Sequence, residues 1–198
     1  MRIGIDISQI AHEGTGVAVY VRNIVASLIA AYPEHEYILF GASLRKRSVF
    51  HEFIASLGSS GLHTRLISVP VPPTILDFVW NRLHIVPIEW FVGSVDVFWS
   101  SDWTQPPLLH ARGITTIHDL SVLKYPQESH NTTEFVLSQA RVSADIVSIQ
   151  TRRLALAARE CHVFLCDSEA TKKDAHTLLG IELTKLRVVY PGFMKHIL

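Results

Sequence analysis

Short apolar runs alternate with stretches of three- and four-residue periodicity along the whole chain. Residues 2–7 form an Ile-rich run, and a polar loop follows over 8–14. From Thr15 the pattern turns helical: Val17, Tyr20, Val21, Ile24, Val25, Leu28 and Ile29 recur at helical spacing up to Pro33. A second strand is predicted over 37–40, closed by Gly41. A helix over 44–57 follows, with Val49, Phe50, Phe53, Ile54 and Leu57 on its apolar face. Residues 58–61 are a turn, and a third strand over 62–69 is stopped by Pro70, Pro72 and Pro73. An aromatic-rich helical stretch over 75–92 is interrupted at Pro87. Strands are then expected over 96–100, 114–118, 162–166 and 186–190. A long, mostly helical segment over 133–160, whose pattern leaves room for a break near Ser143, and a helix over 168–179 separate the last three. Ser168 is the predicted N-cap of that last helix and Gly180 its stop. Strands alternating with helices imply βαβ units and a mostly parallel sheet flanked by helices, a Rossmann-like α/β fold.

The run Ile114-Thr115-Thr116-Ile117 has no charge and no turn residue, as expected of a strand buried on both faces. It runs straight into His118-Asp119. In open α/β sheets ligands bind outside the carboxyl ends of the strands, at the point where strand order reverses. Polar residues gather at those ends here. The first strand ends at Asp6, before the loop His12-Glu13-Gly14-Thr15-Gly16. The fourth leads to Ser100-Ser101-Asp102-Trp103, the fifth to His118 and Asp119, the sixth to Asp167-Ser168-Glu169. If the first strand lies beside the fourth, all four ends share one rim. The candidate ligand-contacting residues on it are Gly14, Thr15, Gly16, Trp103, His118, Asp119 and Ser168.

Each has a plainer reading. Gly14-Thr15-Gly16 opens a helix, where glycines let a phosphate or sugar approach and the helix N-terminus favours negative charge. The same glycines serve a tight turn. His118 is one of eleven histidines and could be a buried imidazole held by a backbone carbonyl. Position 19 is Val19, so the loop is not a dinucleotide fingerprint. No Gly-Lys-Ser/Thr follows to make a P-loop, and no Gly-x-Ser-x-Gly elbow occurs. No second His stands at zinc-ligand spacing from His118, and no metal is expected.

Apolar residues make up 48% of the 198, enough for a sizeable core and against disorder. Basic and acidic residues balance at 18 each, which argues against a nucleic-acid partner. The opening residues lack a signal-peptide core, and no apolar run reaches membrane-spanning length, so a cytoplasmic or membrane-peripheral location is expected. Cys161 and Cys166 lie on one short run, about 16 Å apart if extended at roughly 3.3 Å per residue. They read as buried free thiols. The sequon Asn131-Thr132-Thr133 carries no weight without a secretory signal. Two stretches suggest a surface role: the basic segment opening on Arg45-Lys46-Arg47, and the aromatic segment with Phe78, Trp80, Trp90 and Phe91. The plainer alternative is that both pack against the sheet.

In order, the motifs resemble the N-terminal half of a GT-B retaining glycosyltransferase of the family 4 type. The matching pieces are Met1-Arg2-Ile3-Gly4-Ile5-Asp6, the glycine loop, Tyr20-Val21-Arg22-Asn23, Asp96-Val97-Phe98-Trp99, Pro106-Pro107, Thr116-Ile117-His118-Asp119-Leu120, Tyr125-Pro126, Ser168-Glu169-Ala170-Thr171-Lys172 and Val188-Val189-Tyr190-Pro191-Gly192. The resemblance covers nearly the whole chain. It implies a single acceptor-side domain over 1–198 and a hexosyl- or mannosyltransferase-like activity that needs a nucleotide-sugar donor and no metal. His118 would lie near the transferred sugar and Gly16 near the donor phosphates. The sequence ends at Leu198, where relatives would begin the donor-binding domain with its Glu-x₇-Glu motif and diphosphate-neutralising cations. The expectation is a chain inactive by itself, acting with a C-terminal domain or separate chain on a sugar or lipid-linked acceptor. The alternative is a non-catalytic partner- or membrane-docking module of a split glycosyltransferase. A smaller departure from the family pattern is Glu160-Cys161, where relatives often have Ala-Asp.

Overall fold

A computed structural model describes residues 1–124 and 136–192. Seven strands form one all-parallel sheet: β1 (Arg2–Asp6), β2 (Glu36–Ala42), β3 (Thr64–Val69), β4 (Val97–Ser100), β5 (Arg112–Ile117), β6 (Cys161–Cys166) and β7 (Leu186–Val188). Their order is β3-β2-β1-β4-β5-β6-β7. The chain first winds outward from β1 through β2 to β3, then returns to pair β4 with the other side of β1. That reversal between β1 and β4 is the switch point the polar strand ends called for.

The alternation of side chains along each strand builds two layers. On β2, Tyr37 and Leu39 join Ile5, Ile7, Phe50 and Phe53 in one core, while Ile38 and Phe40 join Trp80, Val92 and Phe98 on the opposite face. A third cluster, around Ile117, Leu154, Ala157 and Phe164, packs the far strands against helices. The helices are α1 (Gly16–Ala31), α2 (Ser48–Ser56), α3 (Pro73–Leu76), α4 (Glu89–Val92), α5 (Ser121–Lys124), α6 (Val136–Glu160) and α7 (Glu169–Leu179). Both cysteines are free and buried. Burial pushes Cys161 up to about 12 and Cys166 up to about 11.

Three expectations need correction, and the point left open at Ser143 is decided. The helix over 44–57 starts only at Ser48, because Ser43 takes the next backbone N–H into a turn: its Oγ accepts from Lys46 N at 3.1 Å. The basic triplet therefore lies in a turn and not on the helix. The stretch over 75–92 breaks earlier than Pro87. α3 runs into a π-helical segment, Asp77–Arg82, and then into a bend with positive φ at His84 (51°) and Val86 (63°). A β-branched residue at positive φ is a rare conformation. The bend is held by the Trp80 indole, which donates to the Val86 carbonyl at 2.9 Å, and by His84, whose ring nitrogens meet Trp80 O and Glu160 Oε1, each at 3.0 Å. α6 is one continuous helix, with no break at Ser143. The polar loop after β1 contains a 3₁₀ turn, Ser8–Ala11, that buries Ile10 and Ala11. Tyr125-Pro126 and the sequon at Asn131 lie outside the described residues. Among the described residues no helix is long and apolar enough to cross a membrane.

Gly113 opens the β5–β6 pairing, where the register shifts by a bulge. A methyl group there would sit 2.7 Å from Glu160 O and 3.0 Å from Cys161 Cα, both backbone atoms that cannot step aside. Gly113→Ala should therefore lower unfolding stability by about 1–3 kcal/mol, measured by urea denaturation. An unchanged midpoint would show that this strand pair is looser than its packing indicates.

Candidate functional site

The ends of β1, β4, β5 and β6 meet around His118. Its Nδ1 donates to Asp167 Oδ2 at 2.7 Å, just past the end of β6. Its ring stands edge-on to Tyr20 of α1, centroids 4.9 Å apart. Its carbonyl accepts from Thr171 Oγ1 of α7 at 3.1 Å. The imidazole is thus held by a carboxylate and not by the backbone carbonyl of the plainer reading. Burial pulls the His118 pKa down, but the Asp167 hydrogen bond and the charges of Asp102 and Asp167 outweigh it and raise the net value. The second ring nitrogen, Nε2, makes no hydrogen bond among the described residues, and the ring lines a cavity of about 160 Å³.

Leu120, Leu123 and Leu154 line that cavity together with Asp102, Gln150 and Arg153. Arg153 is 1% exposed. It reaches back from α6 and donates to Ser101 O at 2.8 Å, Thr116 O at 3.2 Å and the Thr115 hydroxyl. Burial lowers its pKa, and the nearby charge of Asp102 acts in the opposite sense. Gln150, three residues earlier on the same face, donates to Asp102 O at 3.0 Å. Asp102 also borders a second, smaller space with Asp6, Tyr20, Thr116 and His118, of about 20 Å³. That is room for about one water. Four buried oxygens around the site have no hydrogen-bond partner: Asp6 Oδ2, Tyr20 Oη, Asp102 Oδ1 and Asp167 Oδ1. Burial pushes Asp6 up to about 6, against the Ser8 N–H that its Oδ1 accepts at 2.9 Å, and Asp102 adds to the rise. Burial likewise pushes the Tyr20 hydroxyl up to about 12.

The residues singled out in the sequence fall into several settings. His118 and Asp119 both line the 160 Å³ cavity. The Asp119 carboxylate is occupied at the start of α5, where it accepts from Ser121 N at 2.9 Å and from the Ser121 hydroxyl. Thr15 and Trp103 border an adjoining groove that shares Asp102 and Val17 with the cavity. Thr15 is also the N-cap of α1, its Oγ1 accepting from Ala18 N at 3.2 Å. Gly14 takes φ 84°, the turn requirement of its plainer reading. Gly16 lines a separate groove with Asn23, Tyr190 and Gly192, with Tyr20 standing between that groove and His118. The Ser168 hydroxyl caps α7 through Thr171 N at 3.0 Å. Among the described residues no group of three or more His, Cys, Asp or Glu is placed to hold a metal.

The sequence reading passed over Arg153, Gln150 and Tyr20 and left Asp102 and Asp167 as rim residues only. Tyr20 looked like one more position of an apolar stripe. Gln150 and Arg153 stand three apart on a helix, a polar step that would have marked an inward-facing pair.

Two titrations follow. Asp167→Asn removes the bond and charge that raise His118, leaving burial dominant, so the His118 ring should titrate at lower pH in the variant, read by NMR of its ring protons. Because the folded-state pKa is raised, the pair's contribution to stability is full below the unfolded value of about 6.5 and lost as pH rises through the folded value. The stability gap between wild type and Asp167→Asn should therefore narrow toward alkaline pH. Asp6 behaves as an acid raised by burial: its native state holds the proton longer than the unfolded chain. Stability should fall by on the order of 3 kcal/mol as pH rises from about 4 to about 6. In Asp6→Asn that fall should be absent, as measured by chemical denaturation across the range.

No family model matches the chain, and no curated protein matches it.

Proposed function

We propose that the chain is the acceptor-side domain of a retaining glycosyltransferase that moves a sugar from a nucleotide-sugar donor. The observation that carries this reading is the His118–Asp167 pair at the meeting point of four parallel strand ends, beside a cavity lined by both leucines and polar side chains. A pyranose has the same mixed character: C–H groups on its faces and hydroxyls on its edge. The ordered set of motifs supports the same assignment.

In this reading Asp167 fixes the ring of His118 with Nδ1–H facing the carboxylate. Nε2–H, present in the protonated ring, then donates to a hydroxyl oxygen of the transferred sugar. Asp102 supplies negative charge near the anomeric carbon as positive charge develops there, the kind of pre-set electrostatic stabilisation that contributes most in a shielded site. The sugar leaves its nucleoside diphosphate from the same face on which the acceptor oxygen arrives. The departing diphosphate oxygen takes the acceptor proton, so that the anomeric C–O bond to phosphate breaks as the new glycosidic bond forms. Cations for the diphosphate belong to a donor-side domain, which closes over the rim. Gly16 faces the groove beside Tyr190-Pro191-Gly192, so it meets the donor only if that groove opens into the closed cleft.

The test is a transfer assay with a panel of nucleotide sugars, the chain being supplemented with a donor-side domain of the same enzyme type. His118→Ala should lower the transfer rate by roughly 10²–10³-fold with the fold intact by circular dichroism. A folded, reconstituted pair that binds no nucleotide sugar in calorimetry would overturn the reading.

A further inference from the structure

We propose that Asp6 is a positioning residue for the cleft: through one buried water it anchors the carboxylate of Asp102, which borders the same small space as His118. β1 and β4 pair through Ile5 and Trp99, so the two strands end side by side at Asp6 and Ser100. Asp6 is 3% exposed. Its Oδ1 accepts from Ser8 N at 2.9 Å, which fixes the carboxylate at the strand end, and its Oδ2 has no partner. Asp102 has the complementary problem. Its backbone is well held: Gln150 donates to its carbonyl at 3.0 Å, and Arg153 donates to the preceding carbonyl, Ser101 O, at 2.8 Å. Its side chain makes no hydrogen bond among the described residues, and Oδ1 is buried without a partner. A carboxylate on a fixed backbone can still rotate about its own bonds. Something has to hold its charge where it acts on His118.

Asp6, Tyr20, Asp102, Thr116 and His118 all line the space of about 20 Å³ between the strand ends and α1. That volume suits one water, and a buried water needs two to four polar partners. Three unpartnered oxygens belong to residues that line it: Asp6 Oδ2, Asp102 Oδ1 and Tyr20 Oη. One water satisfies all three. Its two hydrogens go to the two carboxylates, and its oxygen accepts from the Tyr20 hydroxyl. Two carboxylates across so small a space would otherwise repel: burial raises the Asp6 pKa, and the charge of Asp102 adds to the rise. A water turned toward both gives each a donor, and the low dielectric strengthens those bonds. The Tyr20 ring stands edge-on to His118, so the residue that orients the water also touches the imidazole. The chain of contacts then runs from the rigid end of β1 through the water to Asp102. The anchoring rests on these contacts. Only its bearing on the charge that Asp102 offers a sugar rests on the transfer reading.

The test is the titration of His118 in the full chain, read by NMR of its ring protons. Burial lowers its pKa, Asp167 and Asp102 raise it, and Arg153 opposes them. Asp102→Asn should therefore move the titration to lower pH. Asp6→Ala should move it the same way by a comparable step, because Asp102 is then free to turn aside. The double variant Asp6→Ala/Asp102→Asn should move it no further than Asp102→Asn alone, the non-additivity of residues that act through one another. Asp6→Asn, whose amide can still bond Ser8 N and the water, should stay close to wild type. A crystal structure of the wild-type chain should show one water within hydrogen-bond distance of Asp6 Oδ2 and Asp102 Oδ1, a measurement that decides the matter even where Asp6→Ala does not fold. An unmoved titration in folded Asp6→Ala, a shift in Asp6→Asn as large as in Asp6→Ala, or additive shifts in the double variant would overturn the anchoring. So would a crystal structure with no water, or with a metal ion, between the two carboxylates. No nucleotide sugar enters these measurements, so such a failure leaves the transfer reading where it stands.

Discussion

The buried guanidinium of Arg153 holds the functional rim together. It sits at 1% exposure and takes the Ser101 carbonyl, the Thr115 hydroxyl and the Thr116 carbonyl with one nitrogen. A charge so placed is costly unless it is compensated, by several kcal/mol for an ion taken out of water. Two backbone carbonyls, a hydroxyl and the charge of Asp102 supply the compensation. The consequence is geometric. α6 crosses the ends of β4 and β5, and Arg153 fixes Ser101, the residue that sets where Asp102 stands. Gln150 bonds the Asp102 carbonyl from the same helix. Asp102, the second acid whose charge acts on His118, is therefore positioned by a helix that contributes little chemistry of its own.

The same economy holds for the rest of the rim. In an all-parallel sheet every strand delivers its carboxyl end to one edge, so neighbours on that edge come from distant parts of the chain. His118 and Asp167 are 49 residues apart yet share a 2.7 Å hydrogen bond. Their alignment depends on β5 pairing with β6 in the right register, which passes through a bulge between Gly113 and Ile114. A glycine far from the chemistry thus sets the register on which the His–Asp pair depends.

This explains which features were legible in the sequence. The seven strands, their parallel character and the reversal beside β1 follow from periodicity of two against 3.6 and from polar residues at strand ends. His118 was legible because it closes an uncharged β run. Arg153 was not, because a buried arginine breaks the usual rule that charges stay outside, and only tertiary contacts reveal its partners. The break at His84 and Val86 was missed for a related reason. Neither residue favours positive φ, and the bend is held by the Trp80 indole at Val86 and the Glu160 carboxylate at His84. Glu160, a position of little apparent note in the sequence, also accepts from Leu108 N at 3.2 Å. The hydroxyls of Thr15 and Ser168 both bond helix starts, and position on the rim alone does not separate that use from contact with a ligand.

The charge pattern inside the cleft bears on what it can receive. Its two cationic groups are engaged, Arg153 by carbonyls and a hydroxyl, His118 by Asp167. The unpartnered buried atoms around them are four oxygens, those of Asp6, Tyr20, Asp102 and Asp167, and one N–H group, Arg153 Nε. Of the oxygens only the Tyr20 hydroxyl carries a proton as a matter of course, and Asp6 gains one toward pH 6. A phosphate entering here would meet three carboxylates and, in Arg153 Nε, one unpartnered cationic donor. A group bringing O–H donors would meet acceptors that lack partners, and desolvated acceptors reward such donors most. Acceptors outnumber the one unpartnered cationic donor, so the cavity suits hydroxyls better than phosphates. That sharpens the division of labour in the proposed reaction: the wall built by His118 and Asp102 handles the sugar, and the diphosphate has to be neutralised from the other side of the cleft.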